Sequence, residues 1–375
     1  IPVLAVTCAA MVAIDVYGAM LVGEVNRSEM EKYFDQAEYW LGTHPGSPSR
    51  LTNGGSLAEL VPQGLPFLLK VLAPETPISL QAHPSIAQAQ AGFAREDAAG
   101  IAIDAPERNY KDHNHKPEMV YALSDPFRAL AGFRPVAETR AVLKGVPAAA
   151  PLLDRLSGDD ALRDTFAWLL SGAPEVAALT AAVSAVQEAG PSWESVRRLA
   201  QYYAGDPGIP ISLLLHTVTL APGEAIYLPA GNIHAYLHGV GVELLASSDN
   251  VLRGGLTPKH VDVAGLLDIL DFRPLPPPYL RPEVVSPGVA VFRPDVADFV
   301  LTVVRPDAAR AGVDVAIPGG GPAIAFLTSG AVTLDGAEAS HTLNQGGAAY
   351  ISGEKSLHVR GDGLLFLASS GVTEP

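Results

Sequence analysis

Between residues 211 and 246 the chain repeats one pattern, a short apolar run followed by a tight turn. Residues 212–220 lead into Ala221-Pro222-Gly223-Glu224, and residues 225–229 into Ala230-Gly231-Asn232; residues 233–237 and 242–246 are further runs of the same kind. Segments this short, punctuated by Pro and Gly, leave no room for the crossover helices of a parallel sheet and predict a β-barrel or jelly roll. Residues 283–375 follow the same pattern of short strands and Gly turns. They also carry a faint internal echo: residues 220–228 (LAPGEAIYL) align with residues 343–351 (LNQGGAAYI). Under that alignment Leu357 stands where the first copy has His234. The second barrel is therefore expected to repeat the fold without the histidine.

Two stretches break the β pattern. Residues 135–204 show helical apolar spacing in Ala-rich runs at 148–156, 161–170, 175–187 and 193–203, broken by Gly and Pro, which predicts an insertion of about four helices. Residues 273–282 hold five prolines, a linker signature. The expected architecture is mainly β. A discontinuous barrel is built from 1–134 and 205–272, a helical domain is inserted at 135–204, and a second jelly roll spans 283–375. At the N-terminus, residues 1–14 are apolar without a preceding basic residue and read as a core strand rather than a leader or a membrane span. Residues 28–38 read as a short helix. Residues 39–46 read as a strand running into a turn, with Trp40 in the core.

Composition narrows the function. With a net charge of −15, nucleic acid is not an expected partner, and an anionic ligand needs a local basic pocket. One cysteine, Cys8, excludes an intrachain disulfide and suits a reducing, cytoplasmic setting. Lysine is scarce: of seven, Lys70, Lys111, Lys116 and Lys259 fall in or beside the polar segments below.

The most informative of these segments is residues 78–84. It reads as a short strand ending at Pro84, so Ser79, Gln81 and His83 share one face. A single buried histidine is most often a hydrogen-bonded core residue; a functional reading needs partners elsewhere. After Pro84, residues 85–97 read as a helix that Gly100 ends. Read as extended chain, residues 109–119 put Asn114, Lys116 and Glu118 on one face and His113 and His115 on the other. His234 follows a Pro-Ala-Gly turn at the mouth of the barrel, where such folds hold ligands. Residues 248–260 form a polar loop, and 262–270 a short helix.

Five segments together resemble the type I mannose-6-phosphate isomerases, zinc-dependent cupin enzymes. They are Leu-Gly-Thr-His-Pro at 41–45, Ser-Leu-Gln-Ala-His-Pro at 79–84, and Tyr-Lys-Asp-His-Asn-His-Lys-Pro-Glu-Met at 110–119. The others are Leu-Pro-Ala-Gly-Asn-Ile-His-Ala-Tyr at 228–236 and Ser-Asp-Asn-Val-Leu-Arg-Gly-Gly-Leu-Thr-Pro-Lys at 248–259. They occur in the family's order and cover residues 39–260. One departure is the opening strand, where Asp15-Val16-Tyr17-Gly18 lacks the family's tryptophan.

The resemblance implies one Zn2+ per chain, held by Gln81, His83, Glu118 and His234. It also implies interconversion of mannose 6-phosphate and fructose 6-phosphate through an enediolate, by a chain expected to act as a monomer. One carboxylate with three neutral ligands leaves such a site formally positive, which suits polarisation of a sugar oxygen. Glu243, on an apolar strand, is the expected base, with Lys116 its competitor for proton transfer and Arg253 the oxyanion partner. Ser79 and Lys259, with Lys70 as a weaker candidate, are the expected phosphate ligands. The rival readings are a non-catalytic sugar-binding cupin and an iron-dependent oxygenase. The first has no need of Lys116, Glu243, Arg253 and Lys259 together; the second favours more histidines.

Overall fold

The computed structural model describes residues 10–15, 36–52, 54–307 and 311–371. The expected N-terminal strand is described only as Ala10–Asp15, and the departure at Val16-Tyr17-Gly18 lies outside the described residues. Of the helix expected at 28–38, the described part is instead the strand Gln36–Leu41. The chain separates into two units, one of residues 1–72, 242–247 and 280–375, the other of residues 73–241 and 248–279.

The second unit is built on a five-stranded antiparallel sheet. Its order is Leu252–Gly255, Leu80–Ala82, His234–His238, Phe127–Phe133 and Leu215–Leu220. A further pair, Glu118–Ala122 with Ala225–Leu228, starts with Glu118 opposite Leu228. Between Phe127–Phe133 and Leu215–Leu220 the chain runs through the helices Val136–Leu143, Ala150–Arg155, Leu162–Leu169, Pro174–Ser184, Pro191–Tyr202 and Gly208–Ser212. The last corrects the sequence reading: residues 211–212, expected to open a strand, close a helix, and the strand begins at Leu215. Pro210 sits inside that turn, and Pro207 precedes its first residue, where missing N–H groups cost little.

These helices are amphipathic and bury their apolar faces in one core. Phe166 is fully buried and meets Phe133 edge-on at 5.7 Å and Phe272 at 5.7 Å, while Phe133 and Phe272 stack at 5.0 Å. Arg134 fastens the insertion: its guanidinium donates to the Leu213 carbonyl and, at 3.1 Å, to Ser192 Oγ. Phe166→Ala should destabilise the protein by about 3–5 kcal/mol, because the lost transfer energy is joined by a cavity that the two remaining rings cannot close; chemical denaturation reads this directly.

The first unit carries the ten-stranded antiparallel sheet that includes Val300–Val304, Ala323–Asp335, Ala348–Ser352 and Ser356–Ser369. Leu357, aligned with His234 in the internal echo, lies at the start of the last strand, 1% exposed in an aliphatic core. Gly241–Ala246, Phe67–Pro74 and Gln36–Leu41 also lie side by side. Among the described residues no single helix is long and apolar enough to cross a membrane.

Candidate metal centre

Three strands set the site. Antiparallel partners directly opposite each other put their side chains on the same face. Gln81 pairs with His234 on one side and with Arg253 on the other, so these three side chains line up across the sheet. His83 follows the strand Leu80–Ala82, and Glu118 opens the strand Glu118–Ala122. The extended reading of 109–119 is corrected here, since the strand begins only at Glu118. The helix expected at 85–97 runs over Ile86–Ala98, with Ser85 as its N-cap and Gln88 completing a capping box.

His83, Glu118 and His234 are at most 2% exposed, and their ligand atoms all lie within 4.8 Å of one another. Each imidazole approaches a different carboxylate oxygen: His83 Nε2 is 3.3 Å from Glu118 Oε1, and His234 Nε2 is 3.3 Å from Oε2. The opposite ring nitrogens decide what those contacts mean. His83 Nδ1 is 2.7 Å from the Asn250 carbonyl, and His234 Nδ1 is 2.9 Å from the Asn232 carbonyl. A carbonyl can only accept, so each Nδ1 carries the proton and, in the neutral ring, Nε2 presents a lone pair. Burial, reinforced by the nearby Lys116 ammonium, pushes the His83 imidazole down to about 4, so it is neutral at physiological pH.

Lone pairs therefore face a carboxylate inside a dry site, an arrangement that repels itself. Among the described residues His83 Nε2, His234 Nε2 and Glu118 Oε2 make no hydrogen bond, although buried polar atoms nearly always do. A cation at their common focus removes both penalties at once, and two imidazoles with a carboxylate are a donor set suited to a divalent transition ion. The carbonyls behind the histidines are the outer support such sites use to hold the tautomer.

The neighbouring charges complete the electrostatics. Lys116 Nζ lies 2.7 Å from Glu118 Oε1. Burial alone would raise the Glu118 carboxyl, but the Lys116 ammonium beside it holds it well below the usual carboxylate range. Arg253 is half-buried, and burial lowers its guanidinium's affinity for its proton. Among the described residues that guanidinium has no hydrogen bond or ion pair, an unusual state for a desolvated charge. Ser79 Oγ donates to Gln81 Oε1 at 3.3 Å, and Lys259 is exposed.

Glu243 and Lys70 belong to the other unit and are paired with each other there. Glu243 is 4% exposed, and its Oε2 is 3.6 Å from Lys70 Nζ. Lys70 also lies 3.6 Å from Glu38 Oε2 and sits over the Trp40 ring at 4.3 Å from its centroid. Trp40 thus does more than fill a core: its Nε1 donates to Glu38 at 2.7 Å, closing a cage around the ammonium. His113 packs against Phe93, ring centroids 4.1 Å apart. Sequence reasoning missed Asn250 and Asn232. Their contribution at the histidines is a main-chain oxygen, which every residue possesses and no motif marks.

A mainly β protein of jelly-roll type with a buried two-histidine, one-carboxylate cation site is a metal-binding cupin. The comparisons narrow this. Residues 19–136 match the family model described as phosphomannose isomerase type I, catalytic domain. The chain is 38% identical over 355 residues to the mannose-6-phosphate isomerase of Escherichia coli (strain K12), covering 88% of this chain and 90% of that protein. It is 34% identical over 385 residues to the Bos taurus enzyme of the same name, covering 86% and 85%. A crystal structure of zinc-bound holo mannose 6-phosphate isomerase superposes with a TM-score of 0.81 at 36% identity, covering 90% of this chain and 91% of that one. The chain belongs to the type I phosphomannose isomerase family.

Proposed function

We propose that this protein interconverts mannose 6-phosphate and fructose 6-phosphate with one zinc ion held by Gln81, His83, Glu118 and His234. The observation that carries the reading is the convergence of three buried, unsatisfied donor atoms from His83, Glu118 and His234 in a chain of this family. Gln81 is assigned as the fourth ligand because its register places it beside His234 on the same face. When bound, zinc supplies Lewis acidity without redox chemistry and polarises an adjacent sugar oxygen.

The remaining work falls to side chains. Aldose–ketose isomerisation takes a proton from C2 and returns one to C1, while a second proton passes from O2 to O1. Glu243 is assigned as the base at carbon. What supports this is its burial and the Lys70 ammonium 3.6 Å from its carboxylate. Lys116, its ammonium already on a ligand oxygen, is the alternative proton carrier. Arg253 meets the negative charge that develops on the sugar oxygens, which its half-buried guanidinium, without an ion pair among the described residues, suits. Ser79 and Lys259 are assigned to the phosphate. Lys70, with two carboxylates around it, is a weaker phosphate ligand than a partner for Glu243.

The same reading assigns the activity to the barrel of 1–134 and 205–272. It treats 135–204 as an inserted helical domain and 283–375 as a second jelly roll. We read the working form as a cytoplasmic monomer with no nucleic-acid or membrane partner, in keeping with the single cysteine and the charge of −15.

Metal analysis together with an isomerisation assay tests the proposal. About one zinc per chain with turnover of both hexose 6-phosphates is expected. Bound iron with oxygen consumption, or zinc without turnover, overturns it. Arg253→Ala should lower kcat/KM by about 10²–10³-fold with zinc retained, the scale of removing one preorganised oxyanion donor, and Arg253→Lys should recover part of the loss.

A further inference from the structure

Asn250 is completely buried, and its amide is used at both ends. Oδ1 accepts from the backbone N–H groups of Lys111 at 2.6 Å and Asp112 at 3.1 Å. Nδ2 faces three oxygens: the Asp112 carbonyl at 2.9 Å, Asp112 Oδ1 at 3.1 Å and the Asn114 carbonyl at 2.8 Å. The main-chain carbonyl of the same residue holds His83 Nδ1 at 2.7 Å. Its N–H donates to Ser248 Oγ at 3.2 Å, and Ser248 in turn donates to the Asp112 carboxylate at 2.9 Å.

One residue thus grips two things. Its side chain fastens residues 111–114, the segment that leads directly into Lys116 and Glu118. Its carbonyl fixes the proton on His83 and aims the opposite lone pair at the focus of the site. Only an amide can do this, because two N–H donors must be met by an oxygen and three oxygens by an N–H. A carboxylate at this position would turn an acceptor toward two carbonyls and a second carboxylate.

We propose that Asn250 is a positioning residue that makes the His83 ligand and the Lys111–Lys116 segment a single unit, so that cation affinity and the placement of Lys116 are set together. This rests on the metal-centre reading above. The test uses the full-length protein, stripped of metal, as wild type, Asn250→Asp and Asn250→Ala. Zn2+ affinity is read by calorimetric titration, and the coordination geometry by the visible spectrum of bound Co2+. Both variants should bind Zn2+ about 10–100-fold more weakly, the range of outer partners of metal ligands. With Zn2+ saturating, kcat should still fall while KM changes little, since Lys116 is misplaced even when the ion is present.

Leu343→Ala, a core truncation in the C-terminal sheet (Leu343 is 3% exposed), controls for general loss of stability and should bind Zn2+ as the wild type does. If the Asn250 variants do not fold, amide exchange in the wild type decides. Zn2+ should slow exchange at Lys111 and Asp112 more than in the strand Ser356–Ser369, although neither residue is a ligand. Wild-type affinity, Co2+ spectrum and kcat in the variants, or no selective slowing at Lys111 and Asp112, overturn the inference alone. A wild type that binds no Zn2+ overturns the metal-centre reading and this inference with it.

Discussion

His234→Ala is expected to release the cation and abolish isomerisation together. The imidazole supplies one of three buried donor atoms that lie within 4.8 Å of one another, and its Nε2 makes no hydrogen bond among the described residues. Removing it leaves Glu118 Oε2 facing a cavity, with too few donors for a tetrahedral ion. The affinity loss should exceed a hundredfold, beyond the roughly 10–100-fold typical of an outer partner. Zinc content of the dialysed variant checks this, alongside a thermal melt. The strand His234–His238 is anchored on both sides by pairing with Leu80–Ala82 and Phe127–Phe133, so the variant should fold. Zinc retained at wild-type affinity would remove His234 from the ligand set. Free imidazole restoring part of the activity would confirm that the loss is chemical.

Glu243→Gln is the second large effect, and it should separate binding from chemistry. The amide keeps the size and one hydrogen-bonding oxygen but cannot accept a proton from carbon. General-base catalysis is worth about 10²–10⁴-fold, so kcat should fall by that factor while zinc stays at the wild-type level. The variant also loses an ion pair, because the Lys70 contact to Glu243 goes while those to Glu38 and the Trp40 ring remain. A modest drop in stability is therefore expected, and activity must be compared per folded molecule. Substantial residual turnover would move the base role to Lys116. In that case Lys116→Met should show the larger kinetic loss, and it would also alter the charge on Glu118, whose Oε1 that ammonium contacts at 2.7 Å.

The two experiments probe different kinds of residue. His234 and its partners announce themselves by atoms left without hydrogen bonds, a signal of something missing. Glu243 has a satisfied ion pair, so its catalytic assignment depends on kinetics. Arg253 stands between: it has no hydrogen bond or ion pair among the described residues, yet it is only half-buried and water reaches it.

Much of this was legible in the linear chain because local periodicity carries it. Alternation along residues 78–83 put Ser79 and Gln81 on one face, and a hydrogen bond joins them. Apolar spacing located the helices Leu162–Leu169 and Pro191–Tyr202 within two residues. It failed at Gly208–Ser212, where Ile209 and Ile211 alternate like a strand but pack as a helical turn; both are fully buried, so burial rather than periodicity selected those residues. It failed again at 109–117, where hydrogen bonds accepted by the Asn250 and Asp112 side chains replace a ladder.

The sequence by itself determined which donors exist: an amide and an imidazole one residue apart at 81 and 83, a carboxylate at 118 and an imidazole after a Pro-Ala-Gly turn at 234. It also determined the β class, because short apolar runs between Pro and Gly allow little else. Only the tertiary structure decided that these donors meet, that their proton-bearing nitrogens point away from one another, and that Lys70 pairs with Glu243. The physical reason is that strand register and main-chain carbonyls set those features. Register depends on the whole sheet, and the carbonyls of Asn232 and Asn250 are chemically identical to those of every other residue.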